Sequence, residues 1–175
     1  MSSQHLPTQI APFRLARQGQ ALQGDLELKG MARLTEVLND EAGSVSVELQ
    51  FGVDEQDTNF ARGHLSARVQ MICQRCMKPV TLPIEADVAL GFVASDDKAR
   101  SLASDYEPYM VGAEPVALAE LIEDELILAL PIVALHEDEK CEPILERLHN
   151  EAEAGDQAQD KPNPFAVLSE LKGKK

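Results

Sequence analysis

The chain has 175 residues, 44% of them hydrophobic, and a formal net charge of −14 at pH 7. That length sets one domain plus a tail as the expectation, with enough apolar content for a buried core. No apolar run approaches the roughly 18 residues of a membrane-spanning helix, and the acidity disfavours a surface that grips phosphates everywhere.

Residues 1–20 are polar with scattered Leu6, Ile10, Phe13 and Leu15, and read as an edge strand or irregular chain. They lack an apolar signal core and a small-residue cleavage site, which makes the cytoplasm the expected compartment. Leu22, Gly24, Leu26 and Leu28 alternate as a strand over Ala21–Lys29, and Met31, Leu34, Val37 and Leu38 take the spacing of a short helix. Val45, Val47, Leu49, Phe51 and Val53 alternate strictly with polar residues and make the clearest strand.

Phe60–Ile72 and Val80–Phe92 repeat that pattern, and the connection Cys73–Pro79 makes them an antiparallel hairpin. Pro83 places the second run at an edge or a bulge. Ala94–Asp105 reads as a polar loop and Tyr106–Val111 as a short strand. Val116–Leu130 reads as an amphipathic helix ended by Pro131, with Glu120, Glu123, Asp124 and Glu125 on a wet face. Residues 1–135 are therefore expected to form a sheet-plus-helix domain, and 136–175 a charged linker with a short apolar tail. In the tail, Asn163 suits an N-cap, Pro164 the first helical position, and Phe165, Leu168 and Leu171 recur at helical spacing.

Charge is segregated. From Thr58 to Ile84 there is no Asp or Glu, but there are Arg62, Arg68, Arg75 and Lys78. That window is +4, so the remainder of a −14 chain is −18. The hairpin is thus a candidate contact for phosphate or an acidic surface, or else a solvated polar face. No aromatic lies between Phe60 and Phe92 to stack bases on.

Cys73-Gln74-Arg75-Cys76 is the one closely spaced cysteine pair, and three cysteines in all argue against a disulfide scaffold. Two intervening residues let both sulfurs face one metal, and zinc takes four N or S donors in a structural site. His136 and Cys141 follow the long helix and supply a second half, giving a Cys3His set. Two other readings stay open: unligated loop thiols, and a thiol redox pair at Cys73 and Cys76. The redox form normally opens a helix, whereas this pair joins two strands. No phosphate loop, nucleophile elbow or paired-histidine motif is present, so no enzyme is expected.

Taken together, Cys73–Cys76, Tyr106-Glu107-Pro108, the run Glu123–Pro131, the His136…Cys141 step and the run Lys161–Leu168 resemble the bacterial YceD family, the large ribosomal RNA subunit accumulation proteins. The likeness spans about residues 73–172. It implies a ribosome-biogenesis role in accumulating large-subunit (23S) rRNA. Some relatives carry more cysteines after the Leu128–Pro131 step, resembling a fuller zinc-binding half; this chain has His136 and Cys141 there.

The expected fold is α+β: a curved antiparallel sheet or partial barrel, one main C-terminal helix, and a mobile tail. The expected function is a non-enzymatic factor that protects or chaperones precursor rRNA. Its partner would be that rRNA or a pre-ribosomal particle, met directly or through a basic ribosomal protein, with zinc as an optional clamp. The alternatives are an adaptor acting through the tail motif and a thiol redox protein.

Overall fold

The computed structural model describes residues 6–137, 141, 143 and 144. In chain order it has β1 (Gln9–Ile10), α1 (Pro12–Gln18), β2 (Ala21–Glu27), α2 (Ala32–Thr35), β3 (Ser44–Val53), β4 (Asn59–Ile72), β5 (Pro79–Val93), α3 (Asp96–Arg100), β6 (Glu107–Met110), β7 (Val116–Ala117) and α4 (Leu118–Ala129). All of these lie in the compact unit that ends at His136.

The alternating runs become strands because a pleated strand sends successive side chains to opposite faces. On β3, Val45, Val47, Leu49 and Phe51 point inward and are at most 2% exposed. β2, β3, β4 and β5 pair antiparallel in that order, and β6 adds to β5 in parallel. The fold is α+β with a mostly antiparallel sheet that stays open at β2 and β6 rather than closing into a barrel. β6 pairs only with Leu90–Val93, so the stretch of β5 holding Pro83 runs along an edge among the described residues. There a missing N–H donor costs no ladder bond.

The core lies on one face of the sheet. α1 packs against β3 and β4, and α4 against β5. Leu118, Leu121, Ile122 and Leu126 form the buried stripe of α4. This helix is two residues shorter at its start than the periodicity predicts. Val116 and Ala117 are taken by β7, which pairs with β1. Residues 12–18 are helical rather than strand-like or irregular. Pro12 occupies the first turn and Gly19 closes the helix at φ 59°, the arrangement that a proline start and a glycine stop favour. The loop after β5 holds the short helix α3. Among the described residues, no helix is long and apolar enough to cross a membrane.

One carboxylate departs from the wet face expected of α4. Glu123 is only 4% exposed. Its Oε1 accepts the Leu34 backbone N–H at 2.9 Å, and its Oε2 accepts from Arg33 Nη2 at 2.8 Å. Arg33 also reaches Asp124 at 2.6 Å, so α2 is fastened to α4 through a fork of charge-assisted bonds. Burial pushes the Glu123 carboxyl up, but the Leu34 amide and the Arg33 side chain outweigh it and hold it below its ordinary value.

Candidate metal centre

β4 and β5 pair as far as Ile72 and Pro79, leaving six residues, Cys73–Lys78, to turn the chain. The turn closes on itself: Cys73 N–H donates to the Lys78 carbonyl and Met77 N–H to the Cys73 carbonyl, both at 2.9 Å. Met77 takes a left-handed φ of 59°. This geometry folds both cysteines inward, to 0% and 5% exposure, although they sit at a hairpin tip.

The segment after α4 returns to this tip. Gln74 N–H donates to the Ala134 carbonyl at 2.9 Å. Arg75 Nη2 donates to the His136 carbonyl at 3.0 Å. His136 Nε2 lies 3.0 Å from the Pro79 carbonyl. A carbonyl only accepts, so Nε2 carries the proton and a neutral ring keeps its lone pair on Nδ1. That Nδ1 lies 3.5 Å from Cys76 Sγ. A histidine that donates one ring N–H to a carbonyl while aiming the other nitrogen at a sulfur is set up as a metal ligand.

The electrostatics agree. Burial pushes the Cys73 thiol up, but the backbone N–H groups of Cys76, Arg75 and His136 outweigh it, and it comes down to about 5. Amides that solvate a thiolate here do what a metal site requires, because the deprotonated sulfur is the ligand. Ligand atoms of Cys73, Cys76 and His136 all lie within 4.8 Å of one another, and Cys141 belongs to the second compact unit, which begins at Glu137. Three of the donors expected from spacing, two thiols and an imidazole, thereby lie together, and these are donor types of a possible Cys3His metal-binding cluster.

The basic residues are not gathered in the same way. Arg75 is spent on the His136 carbonyl beside the metal cluster, and Lys78 stands exposed at the turn. Arg62 lies on the outer sheet face, its guanidinium 5.5 Å from the Phe60 ring and 4.6 Å from that of Tyr106. Arg68 lies on the same face, beside a shallow groove that Ser46, Ser66, Asp25 and Glu85 also line. His64 is opposed by Glu48 and bonds Asp87 at 2.9 Å. On that face the neighbouring strands supply the acids that the window lacks. The tail residues Asn163, Pro164, Phe165, Leu168 and Leu171 lie outside the described residues.

The spacing of the cysteines does not disclose the Pro79 carbonyl that fixes the His136 ring, nor the Ala134 carbonyl that docks the returning segment. A backbone oxygen has no sequence signature; proline at the end of a cysteine turn is the nearest signal.

The family of the large ribosomal RNA subunit accumulation protein YceD matches residues 61–172 of this chain. A large ribosomal RNA subunit accumulation protein YceD from Haemophilus influenzae is 33% identical over 175 residues, covering 99% of this chain and 100% of its own length. No solved structure matches.

Proposed function

We propose a role from one premise: the chain belongs to the YceD family, the large ribosomal RNA subunit accumulation proteins. On this reading it is a non-enzymatic ribosome-biogenesis factor of the cytoplasm. It supports accumulation of large-subunit (23S) rRNA by shielding the precursor within a pre-ribosomal particle, with a basic ribosomal protein as its partner. The observation that carries the proposal is the likeness along the whole chain to a protein named for that role. The −14 charge favours a basic protein as the direct contact, because a surface of one sign steers the opposite one.

Zinc at the hairpin tip is the second part of the proposal. Zinc bonds of about 2.3 Å to sulfur and about 2.0 Å to nitrogen set tetrahedral S and N donors about 3.6 Å apart. The 3.5 Å between Cys76 Sγ and His136 Nδ1 supports that ion. With the Cys73, Cys76 and His136 donors within 4.8 Å, closing them around zinc takes movements of about 1 Å. Cys141 as the fourth ligand would leave no open coordination position, so the ion would cross-link the tip rather than activate a water. A closed site of that kind also supports the non-catalytic reading.

The test is crosslinking in growing cells with RNA and protein recovered together on the tagged chain. Precursor large-subunit rRNA and a basic ribosomal protein are expected to be enriched over a tagged control. Enrichment of neither would overturn the proposal.

A further inference from the structure

Pro131 has no N–H to give a continuing helix, and Leu130 before it is already extended, at ψ 140°. The chain that follows is anchored at one point. Ala134 is 2% exposed, and its carbonyl accepts the Gln74 N–H at 2.9 Å. Its neighbours Val133 and Leu135 stand exposed. Leu128, on the last turn of α4, is 73% exposed, and Ile132 is fully so. Of the eight large apolar side chains exposed among the described residues, four thus fall between Leu128 and Leu135. Such clustering marks a contact surface, unlike the single scattered apolar residues of an ordinary exterior.

The same helix carries charge beside this ridge. Asp124 and Glu125 lie one turn before Leu128, at the spacings that make neighbours on a helix surface. Asp124 is taken by Arg33 at 2.6 Å. Glu125 is answered only by like charge: burial pushes its carboxyl above the ordinary value, and Glu107 on β6 and Asp124 push it the same way. No cation pairs with Glu107 or Glu125 among the described residues. An apolar ridge rimmed by unneutralised carboxylates discriminates among occupants. A second copy would bring the same acids against one another, and RNA or an anionic lipid surface would add more negative charge. A polypeptide with cations beside apolar side chains complements both features.

We propose that Leu128 and Ile132, with Glu107 and Glu125 beside them, form the docking surface for a basic amphipathic segment of a protein. Its apolar side chains cover Leu128 and Ile132, and its Lys or Arg side chains meet Glu107 and Glu125. This gives the basic partner of the proposed role a place to bind, and to that extent rests on that role.

The experiment titrates the full-length protein with a short amphipathic peptide of leucine and lysine, and with its leucine–glutamate and serine–lysine counterparts, by calorimetry and amide chemical shifts. Saturable binding of the leucine–lysine peptide, at least tenfold tighter than either counterpart, is expected, with shifts at residues 107–110 and 124–135. Leu128→Ser with Ile132→Ser should weaken it at least tenfold. Glu107→Gln with Glu125→Gln should weaken it several-fold and flatten its salt dependence. Urea midpoints equal to wild type confirm that both variants fold. Absence of saturable binding, equal binding of the serine–lysine peptide, or wild-type affinity in both variants overturns the surface. So does a dimer in sedimentation that Leu128→Ser with Ile132→Ser breaks, which assigns the ridge to a second copy. The tagged chain in growing cells separates this failure from that of the role. Recovery of a basic ribosomal protein equally by wild type and by the Leu128→Ser, Ile132→Ser variant overturns the surface and leaves the role standing. Recovery by neither overturns the role, and the peptide titration then decides the surface.

Discussion

His136 Nδ1 faces Cys76 Sγ at 3.5 Å because its other ring nitrogen is tied to the Pro79 carbonyl. One imidazole thus connects the chain after α4 to the β5 side of the cysteine turn, at Cys76 and Pro79. A ring so oriented has little rotational freedom left to lose when it coordinates a metal, and outer partners of this kind strengthen binding by about 10–100-fold.

The first prediction concerns zinc. Protein purified under reducing conditions should carry about one zinc per chain by elemental analysis. Cys76→Ser and His136→Ala should each lose at least tenfold in zinc affinity by chelator competition. A zinc content near zero in reduced, folded protein would remove the ion from the proposed function while leaving the hairpin intact.

The second separates the basic residues. Arg75 and Lys78 stand at the tip, whereas Arg68 shares a groove with Asp25 and Glu85. Lys78→Ser should lower co-sedimentation with pre-ribosomal particles several-fold more than Arg68→Ser does, with Arg75 left in place because it holds the His136 carbonyl. Equal losses would mean that the outer sheet face contributes as much as the tip.

The third tests the fastening of α2 to α4. Glu123→Gln keeps the shape but loses the charge that Arg33 meets, and should cost about 1–3 kcal/mol in urea unfolding. The folded state holds the Glu123 carboxyl below its ordinary value of 4.5, by the Leu34 amide and Arg33 against the cost of burial. Between the folded and unfolded values the unfolded chain binds more protons. The carboxylate's contribution is therefore fully present above about pH 4.5 and fades as pH falls through the folded value. The gap between wild type and Glu123→Gln should narrow below that pH; a gap constant down to pH 3 would argue that charge is not what stabilises the contact.

The fourth concerns the β3–β4 ladder. A Cβ on Gly63 would overlap the Glu48 carbonyl oxygen, which is backbone and cannot turn aside. Gly63→Ala should destabilise by about 3 kcal/mol or more. Gly112 has open space around the same position, and Gly112→Ala should change stability by about 1 kcal/mol or less. Thermal denaturation of the two variants side by side decides it.

Much of the fold is legible in the chain. Val45–Val53 and the two runs flanking the cysteines are strands because alternation is a property of neighbours, and α4 announces itself through the spacing of Leu118, Leu121, Ile122 and Leu126. The seven-residue helix α1 is less legible, its only local marks being Pro12 and Gly19. The β1–β7 pair and the parallel addition of β6 leave no local mark at all, since each depends on a partner far along the chain. The same limit separates Glu120, which is exposed, from Glu123, which is not. Both lie on one helix, and only the arrival of Arg33 and the Leu34 amide decides which carboxylate is buried.

The cysteine turn shows where the boundary lies. Its residue types and two-residue spacing fix by themselves that two sulfurs can share a metal, because that geometry is local. The basic bias of Thr58–Ile84 is equally a fact of the chain. Tertiary structure alone decides that His136 comes back across 60 residues with its Nδ1 lone pair toward Cys76, and that Arg62 and Arg68 turn to a face shared with acids while Arg75 and Lys78 remain at the tip. Strand register and the packing of α4 set those positions, and both are settled by burial summed over the whole core.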